Sequence, residues 1–265
     1  YWFGIGIVEK SHFDTNIREI ARNEAVNEIA SQIKINLSSS FERVISENNL
    51  SLDEVSNSIL QTRLDNNLSN IIIVDSYEDK NRYYLLVKLS KSLYYETIEQ
   101  QRRNSIEAAM KFISQAELEL SSYSLSCLSN AMDEIISYID FPIERELPTG
   151  SGKIVNIYSY IKILTSNYLN RIKIIPNEKK IIVNKIFNDG IKLKVKVVDE
   201  NSGAPLQNIP IICTIIDNAD KVSALSDSIG NCIFAVPRIL HSSSIQYINY
   251  KLDVNALIEN TNLFD

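Results

Sequence analysis

Histidine is nearly missing from this chain: His12 and His241 are its only two, and both fall in polar stretches that read as loop. That scarcity weighs against a Ser-His-Asp machine, and no G-x-S-x-G elbow is present to hold a serine strained and exposed. The three cysteines, Cys127, Cys213 and Cys232, lie far apart and never in C-x-x-C spacing, which argues against a zinc site or a redox dithiol. Long apolar runs are also lacking, since no stretch approaches the roughly 18 uninterrupted residues of a membrane-spanning helix. Nor is there an excess of positive charge. With 27 basic against 33 acidic residues and a net charge of -6 spread along the chain, nothing resembles the basic patch that a phosphate backbone requires, so nucleic acid is excluded as an expected partner.

What is present is enough apolar mass to fold. At 265 residues and 45% hydrophobic composition, the chain has the material for one large domain or two to three small ones. It starts with Tyr1 and not Met, which points to an upstream segment where a signal or lipid anchor would lie.

Only seven glycines occur, so two inside the opening apolar run YWFGIGIVEK raise a question. A dinucleotide-binding loop needs a third glycine where this chain has Glu9, and a turn where Ile7 and Val8 continue the strand. Gly4 and Gly6 therefore read as positions where a helix or neighbouring backbone comes close to a strand. The stretch PTGSGKI from Pro148 fails as a Walker A loop in the same way, with Leu147 in place of glycine and Ile154 in place of the magnesium-binding hydroxyl. A loop between helices is expected there.

Along the chain, a first strand (Tyr1 to Val8) is followed by a helix with Asn16 and Glu19 at capping-box spacing. An i+4 stripe of Ile17, Ala21, Ala25, Ile29, Ile33, Leu37, Phe41 and Ile45 must lie on something apolar. Ser51 to Glu54 opens a second helix reaching about Leu64, and the runs Ser69 to Tyr77 and Arg82 to Leu89 read as an antiparallel hairpin. Two further helices, Tyr94 to Leu120 and Leu125 to Ile139, offer Ala109, Ile113 and Ala116 to Leu128, Ala131 and Ile135 as a helical hairpin, and a third is marked from Ile154 to Tyr168.

Beyond Arg171 the texture is of short strands: Arg171 to Ile175, Lys180 to Asn184, Ile191 to Val198, Ile209 to Ile216, Asn231 to Val236 and Ile245 to Val254. In IKLKVKVVD, Lys192, Lys194 and Lys196 alternate with Leu193, Val195 and Val197, the period of a sheet wet on one side. The expected class is α+β: a three-stranded antiparallel sheet under a long helix (1–92), a helical middle (93–169) and a C-terminal β-sandwich (170–265).

Cys213 and Cys232 fall on strands that allow either a disulfide or two buried free thiols, the second being the commoner state of such residues; Cys127 is unpaired in both. In each of the pairs Tyr83-Tyr84 and Tyr94-Tyr95 one ring is expected in the core and the other at the surface. Acid pairs such as Asp199-Glu200, or Glu117 with Glu119, read as solvent-facing charge. No catalytic, cofactor-binding or metal-ligating residue is assigned, and the reading is of a protein that presents surfaces rather than one that turns over a substrate.

Four features of the N-terminal block carry a resemblance: Phe3-Gly-Ile-Gly6, the small-residue helix from Ala21 through Ala30, the I-I-I-V-D-x-Y strand from Ile71 to Tyr77, and Y-Y-L-L-V-x-L ending in Ser90-Lys91. Over about residues 1 to 92 they resemble the LPP-twenty family of bacterial outer-membrane lipoproteins. The resemblance implies a periplasmic, outer-membrane-associated envelope protein made with a signal peptide. It further implies contact with the membrane only through a lipidated cysteine outside this chain. It brings no catalytic residues. A second likeness, from Gly203-Ala-Pro-Leu206 through an apolar strand to Asp227-Ser-Ile-Gly230, is to bacterial immunoglobulin-like or prealbumin-like domains, which implies a spacer or adhesion module. The expected partners are other envelope proteins in a multi-protein complex. Peptidoglycan or its synthases are the alternative, and an envelope hydrolase is a third.

Overall fold

The computed structural model of the protein describes residues 1–10, 16–48, 70–139, 141, 143–147, 152–182, 190–215, 220–236 and 247–259. The expected helix at 51–64, both histidines and the stretch 148–151 lie outside these residues. Two compact units divide the chain: Tyr1–Ala108 with Asp133–Glu144, and Ala109–Met132 with Arg145–Asp265. The overall class is the mixed α+β arrangement expected from the sequence.

In the first unit, strands β1 (Trp2–Glu9), β2 (Ile72–Glu78) and β3 (Arg82–Leu89) form an antiparallel sheet in the order β1-β3-β2. The hairpin turn is closed by Asp79, whose Oδ1 accepts the backbone N–H groups of Asn81 and Arg82, both at 2.7 Å, an Asx turn that explains why the polar stretch EDKN works there. Helix α1 (Ile17–Asn48) begins at Asn16, whose carbonyl accepts from Glu19 and Ile20 N–H at 3.0 and 3.2 Å. The two side chains expected to form a capping box bond to each other instead, Asn16 Nδ2 donating to the Glu19 carboxylate.

Of the α1 stripe, Ala21, Ala25, Ile29 and Ile33 are fully buried, and Ile17 is half-buried. The side chains at Leu37, Phe41 and Ile45 are outside the described ones. The stripe meets the face of the sheet formed by Trp2, Gly4, Gly6 and Val8 together with their cross-strand partners Leu89, Val87, Leu85 and Tyr83. Contact is backbone to backbone: a Cβ on Gly4 would stand 2.0 Å from the Ala25 carbonyl oxygen, and one on Gly6 1.8 Å from that of Ala21. Helix α2 (Lys91–Ala116) starts against this sheet, Tyr94 meeting Trp2 edge-on with ring centroids 5.2 Å apart. Within each tyrosine pair one ring is buried, Tyr83 or Tyr94; Tyr84 is half-buried and Tyr95 exposed.

Helix α3 (Ser122–Ile136) follows α2, and all six residues expected at their contact, Ala109, Ile113, Ala116, Leu128, Ala131 and Ile135, are buried. Ile154 does not start a helix, because Ile154–Asn156 form strand β5, paired with β4 (Glu144–Glu146) in a two-stranded sheet. Asn156 then caps α4 (Ile157–Arg171), its side chain accepting from Ser159 N–H at 3.1 Å. The helix passes into β6 (Ile172–Pro176) with no intervening loop.

Two antiparallel three-stranded sheets follow. Strand β7 (Ile191–Asp199) is the centre of β10-β7-β6, and β8 (Pro210–Ile215) the centre of β11-β8-β9, with β9 at Asp220–Leu225, β10 at Asn231–Val236 and β11 at Ile248–Leu252. Leu193, Val195, Val197, Cys232, Phe234 and Val236 of one and Ile211, Cys213 and Ile215 of the other are buried, and Phe234 meets Tyr250 across the two with ring centroids 5.7 Å apart. Residues 180–182 are not strand, and the last expected strand stops at Leu252, since Asp253 caps a short helix α5 (Val254–Glu259) by accepting Ala256 N–H at 3.1 Å.

If α1 and β1 touch through backbone, Gly6→Ala and Gly4→Ala must each destabilise the protein by at least ~2 kcal/mol, because a carbonyl on a packed helix cannot step aside. Ile7→Ala, on the opposite face, is expected to change stability by less than about 1 kcal/mol. Urea unfolding of the three variants provides the comparison.

Candidate functional site

Helix α1 seals one face of the β1–β3 pair, while the opposite face of the N-terminal sheet is open. Antiparallel register places Phe3, Ile5 and Ile7 of β1 beside Lys88, Leu86 and Tyr84 of β3, and these beside Ile72, Asp75 and Tyr77 of β2. Phe3, Ile5, Ile7, Ile72 and Tyr77 are 47–65% exposed, an apolar surface well beyond the scattered exposed side chain that any soluble protein carries. Aromatic contacts tie it together: Tyr77 lies 5.8 Å from Tyr84, Tyr1 lies 6.3 Å from Phe3, and the Lys88 ammonium stands 5.0 Å from the centre of the Tyr1 ring. Lys88 and Asp75 stand within this face, and a further pair, Arg82 with Glu9 at 3.0 Å, closes one end of it.

The two edges of this sheet differ. Along β1, the backbone groups that point away from β3 belong to Phe3, Ile5 and Ile7, and α1 reaches over the edge to take them. Glu28 Oε2 accepts Ile5 N–H, Glu24 Oε2 accepts Ile7 N–H at 3.0 Å, and Gln32 Nε2 donates to the Phe3 carbonyl at 2.8 Å. A strand edge dressed this way has the Ile5 and Ile7 N–H groups and the Phe3 C=O already occupied, which blocks the regular ladder that another chain would need to pair with it. No other described strand lies beside the outer edge of β2, where Val74 bulges out of register between Ile73 and Asp75. On this sheet the edge that no described strand or helix side chain occupies is that of β2.

The residues that suggested chemistry in the sequence have other work. Gly4 and Gly6 point at helix carbonyl oxygens, which repel an anion. Of the Walker-like loop, Gly152 has φ +64° and Lys153 gives its carbonyl to Leu147 N–H at 3.1 Å, closing the β4–β5 hairpin. Cys127, Cys213 and Cys232 are free and buried, and burial pushes the Cys232 thiol up to about 11, far from a reactive thiolate. Among the described residues no cluster of His, Cys, Asp and Glu is arranged to hold a metal ion, and no helix is long and apolar enough to cross a membrane.

Asp199 does not face solvent as the sequence suggests. It is buried, gripped by Arg171 in a two-pronged pair (Nε to Oδ1 3.0 Å, Nη2 to Oδ2 2.7 Å) and further held by Ser202 Oγ at 2.7 Å and Asn201 N–H at 3.1 Å. The Arg171 guanidinium above all, then the hydroxyl and the amide, hold its carboxyl well below the usual carboxylate range. The same residue shapes the turn after β7, since its carbonyl accepts Gly203 N–H at 2.8 Å, so Asp199 joins the end of α4 to the sheet. The D-E-N-S-G run carried that signal, an Asp followed by turn residues, and reading it only as an acid pair missed it.

The second sequence likeness also has a local cause. Gly230, at φ +79°, packs on Pro205, where a Cβ would lie 3.1 Å from the proline Cβ and 2.5 Å from the Val197 carbonyl oxygen. Asp227 closes that turn by accepting Ile229 and Asn231 N–H at 3.0 and 2.8 Å. The G-x-P-L and D-x-x-G pieces thus meet over β7, and their spacing reflects turn packing, not a binding site.

The family model described as LPP20 lipoprotein matches residues 1–90, the stretch that ends with β3. No curated protein and no solved structure matches the chain. The match supports the N-terminal resemblance, and with it a bacterial envelope-associated lipoprotein; the immunoglobulin-like likeness of the C-terminal sheets has no such support.

Replacing Glu24 and Glu28 together by alanine frees the Ile5 and Ile7 N–H groups, and is expected to cost about 0.5–1 kcal/mol per bond and to produce concentration-dependent association in sedimentation velocity. Asp199→Asn, which breaks the pair with Arg171, is expected to cost about 2 kcal/mol at neutral pH. Because the folded-state pKa of Asp199 is depressed, its contribution is complete above the unfolded value of about 3.9 and is lost as pH falls below it. Unfolding measured from neutral pH down to about pH 3 should therefore show the difference between wild type and Asp199→Asn shrinking with acid.

Proposed function

We propose that this protein is a non-enzymatic envelope lipoprotein, periplasmic and associated with the outer membrane, that serves as a structural or assembly component by docking another envelope protein on the open apolar face of the β1-β3-β2 sheet. The observation that carries this reading is the asymmetry of the N-terminal unit: α1 covers one face of the β1–β3 pair and occupies backbone groups along the β1 edge, while Phe3, Ile5, Ile7, Ile72 and Tyr77 stay exposed within the segment that matches the LPP20 lipoprotein model. Sealing the β1 edge works against fibre-like self-pairing, and leaving the face apolar favours burial by a partner. The open β2 edge adds a place for a partner strand to extend the sheet. A packed chain whose conspicuous polar residues are occupied in turns, caps and ion pairs suits a protein that acts through surfaces.

A photo-crosslinking residue placed at Ile5 or Tyr77 in cells is expected to give an adduct with an envelope protein of discrete mass. The same residue at Arg22, on the exposed side of α1, is expected to give none. No adduct from either face position would contradict the docking reading. Retention of the purified chain on sacculi without a protein adduct would transfer the role to peptidoglycan binding, and turnover of muropeptides would refute a non-enzymatic role.

A further inference from the structure

The outer face of the β10-β7-β6 sheet is charged with one sign. Lys192, Lys194 and Lys196 are exposed on the central strand, and their register partners on β10 are Ala235, Ile233 and Asn231, none of them acidic. On β6, Ile175 lies beside Lys196, while Lys173 at the far end is paired with Glu200 at 2.7 Å. Asp199 is committed to Arg171 and Glu200 to Lys173, and Glu178, just after β6, forms no ion pair with the three lysines. Successive side chains on one face of a strand stand about 6.6–6.8 Å apart, so the three ammonium groups form a column on the order of 13 Å long. Opposite charges facing each other across strands stabilise a sheet, and none is supplied to these lysines among the described residues, although the chain as a whole carries a net charge of -6.

We infer that this face is a flat docking surface for an anionic bilayer. A sheet face offers a plane, not the groove that a threaded polymer needs, and a bilayer surface is the planar partner of opposite charge. Exposed Ile233 and Ile175, 51% and 41% accessible, flank the lysines and suit the apolar boundary beneath phospholipid headgroups. A lysine beside an anionic leaflet contributes about a fivefold gain in partitioning, and three together about a hundredfold. That is weak alone and effective as a second contact for a chain already tethered nearby, the part of the inference that rests on the lipoprotein reading. It adds a membrane contact to the lipid anchor implied by the sequence.

The test uses the full chain without any lipid attached, so the outcome does not depend on whether an anchor exists. Co-sedimentation with vesicles of phosphatidylglycerol and phosphatidylethanolamine is expected to show binding that weakens as salt is raised, with little binding to phosphatidylcholine vesicles. Changing Lys192, Lys194 and Lys196 together to glutamine is expected to lower partitioning about a hundredfold, and the triple arginine variant to retain it. Salt-independent binding, equal binding to phosphatidylcholine, or a glutamine variant that binds like wild type would overturn the inference. So would lysine-dependent retention on sacculi with no vesicle binding. Should the glutamine variant fail to fold, the salt series and the arginine variant still decide the matter.

Discussion

The N-terminal unit depends on a match of two repeats. Four residues of α-helix rise 6.0 Å, and two residues of strand about 6.6–6.8 Å, so a helix laid along a strand meets equivalent positions at nearly the same interval. In this chain Ala21 and Ala25 meet Gly6 and Gly4 at that interval, while Glu24, Glu28 and Gln32 meet the backbone of Ile7, Ile5 and Phe3. One line of contacts is bare backbone and the other is hydrogen-bonded side chain, and each holds the other in register. A side chain at either glycine would lift the helix and pull the acids off the edge. The open face is a consequence, because α1 approaches closely enough to cover one surface and one edge and has nothing left for the other.

Close packing and half-wet sheets leave marks in a sequence, whereas short strands and edge contacts do not. The i+4 stripe and the two glycines were visible because close packing needs small residues at fixed spacing, and the period-two lysines of β7 because a half-wet sheet must alternate. Strand β9 was missed since its inward positions, Val222 and Ala224, are modest in size and only half-buried, leaving little contrast with Lys221 and Ser223. The β4–β5 hairpin was missed because two three-residue strands, Glu144–Glu146 and Ile154–Asn156, carry too few positions for any period to appear. The sealed β1 edge was not legible at all: Glu24 and Glu28 look like ordinary solvent-facing acids until the strand beside them is in place.

The C-terminal sheets work by a different device. Their inner faces are apolar throughout, Phe234, Leu193 and Ile211 among them, while the turns are held by acids, with Asp199 and Asp227 each collecting backbone or side-chain donors. Asp199 ties α4 to β7, and its carboxylate is satisfied by Arg171, Ser202 and Asn201, so burying it does not leave an unpaired charge. Asp199, which looked free in the sequence, is thus structural there, while Lys192, Lys194 and Lys196 on the outer face of the same sheet stay exposed.

Hydrogen exchange at two amides tests the central arrangement most directly. On an open edge strand the N–H groups of Ile5 and Ile7 would exchange at nearly unprotected rates; with Glu28 and Glu24 in place they are expected to be protected like the amides of Gly4 and Gly6, which face β3. Fast exchange at Ile5 and Ile7 beside slow exchange at Gly4 and Gly6 would contradict the sealed edge, and with it the asymmetry on which the functional reading stands.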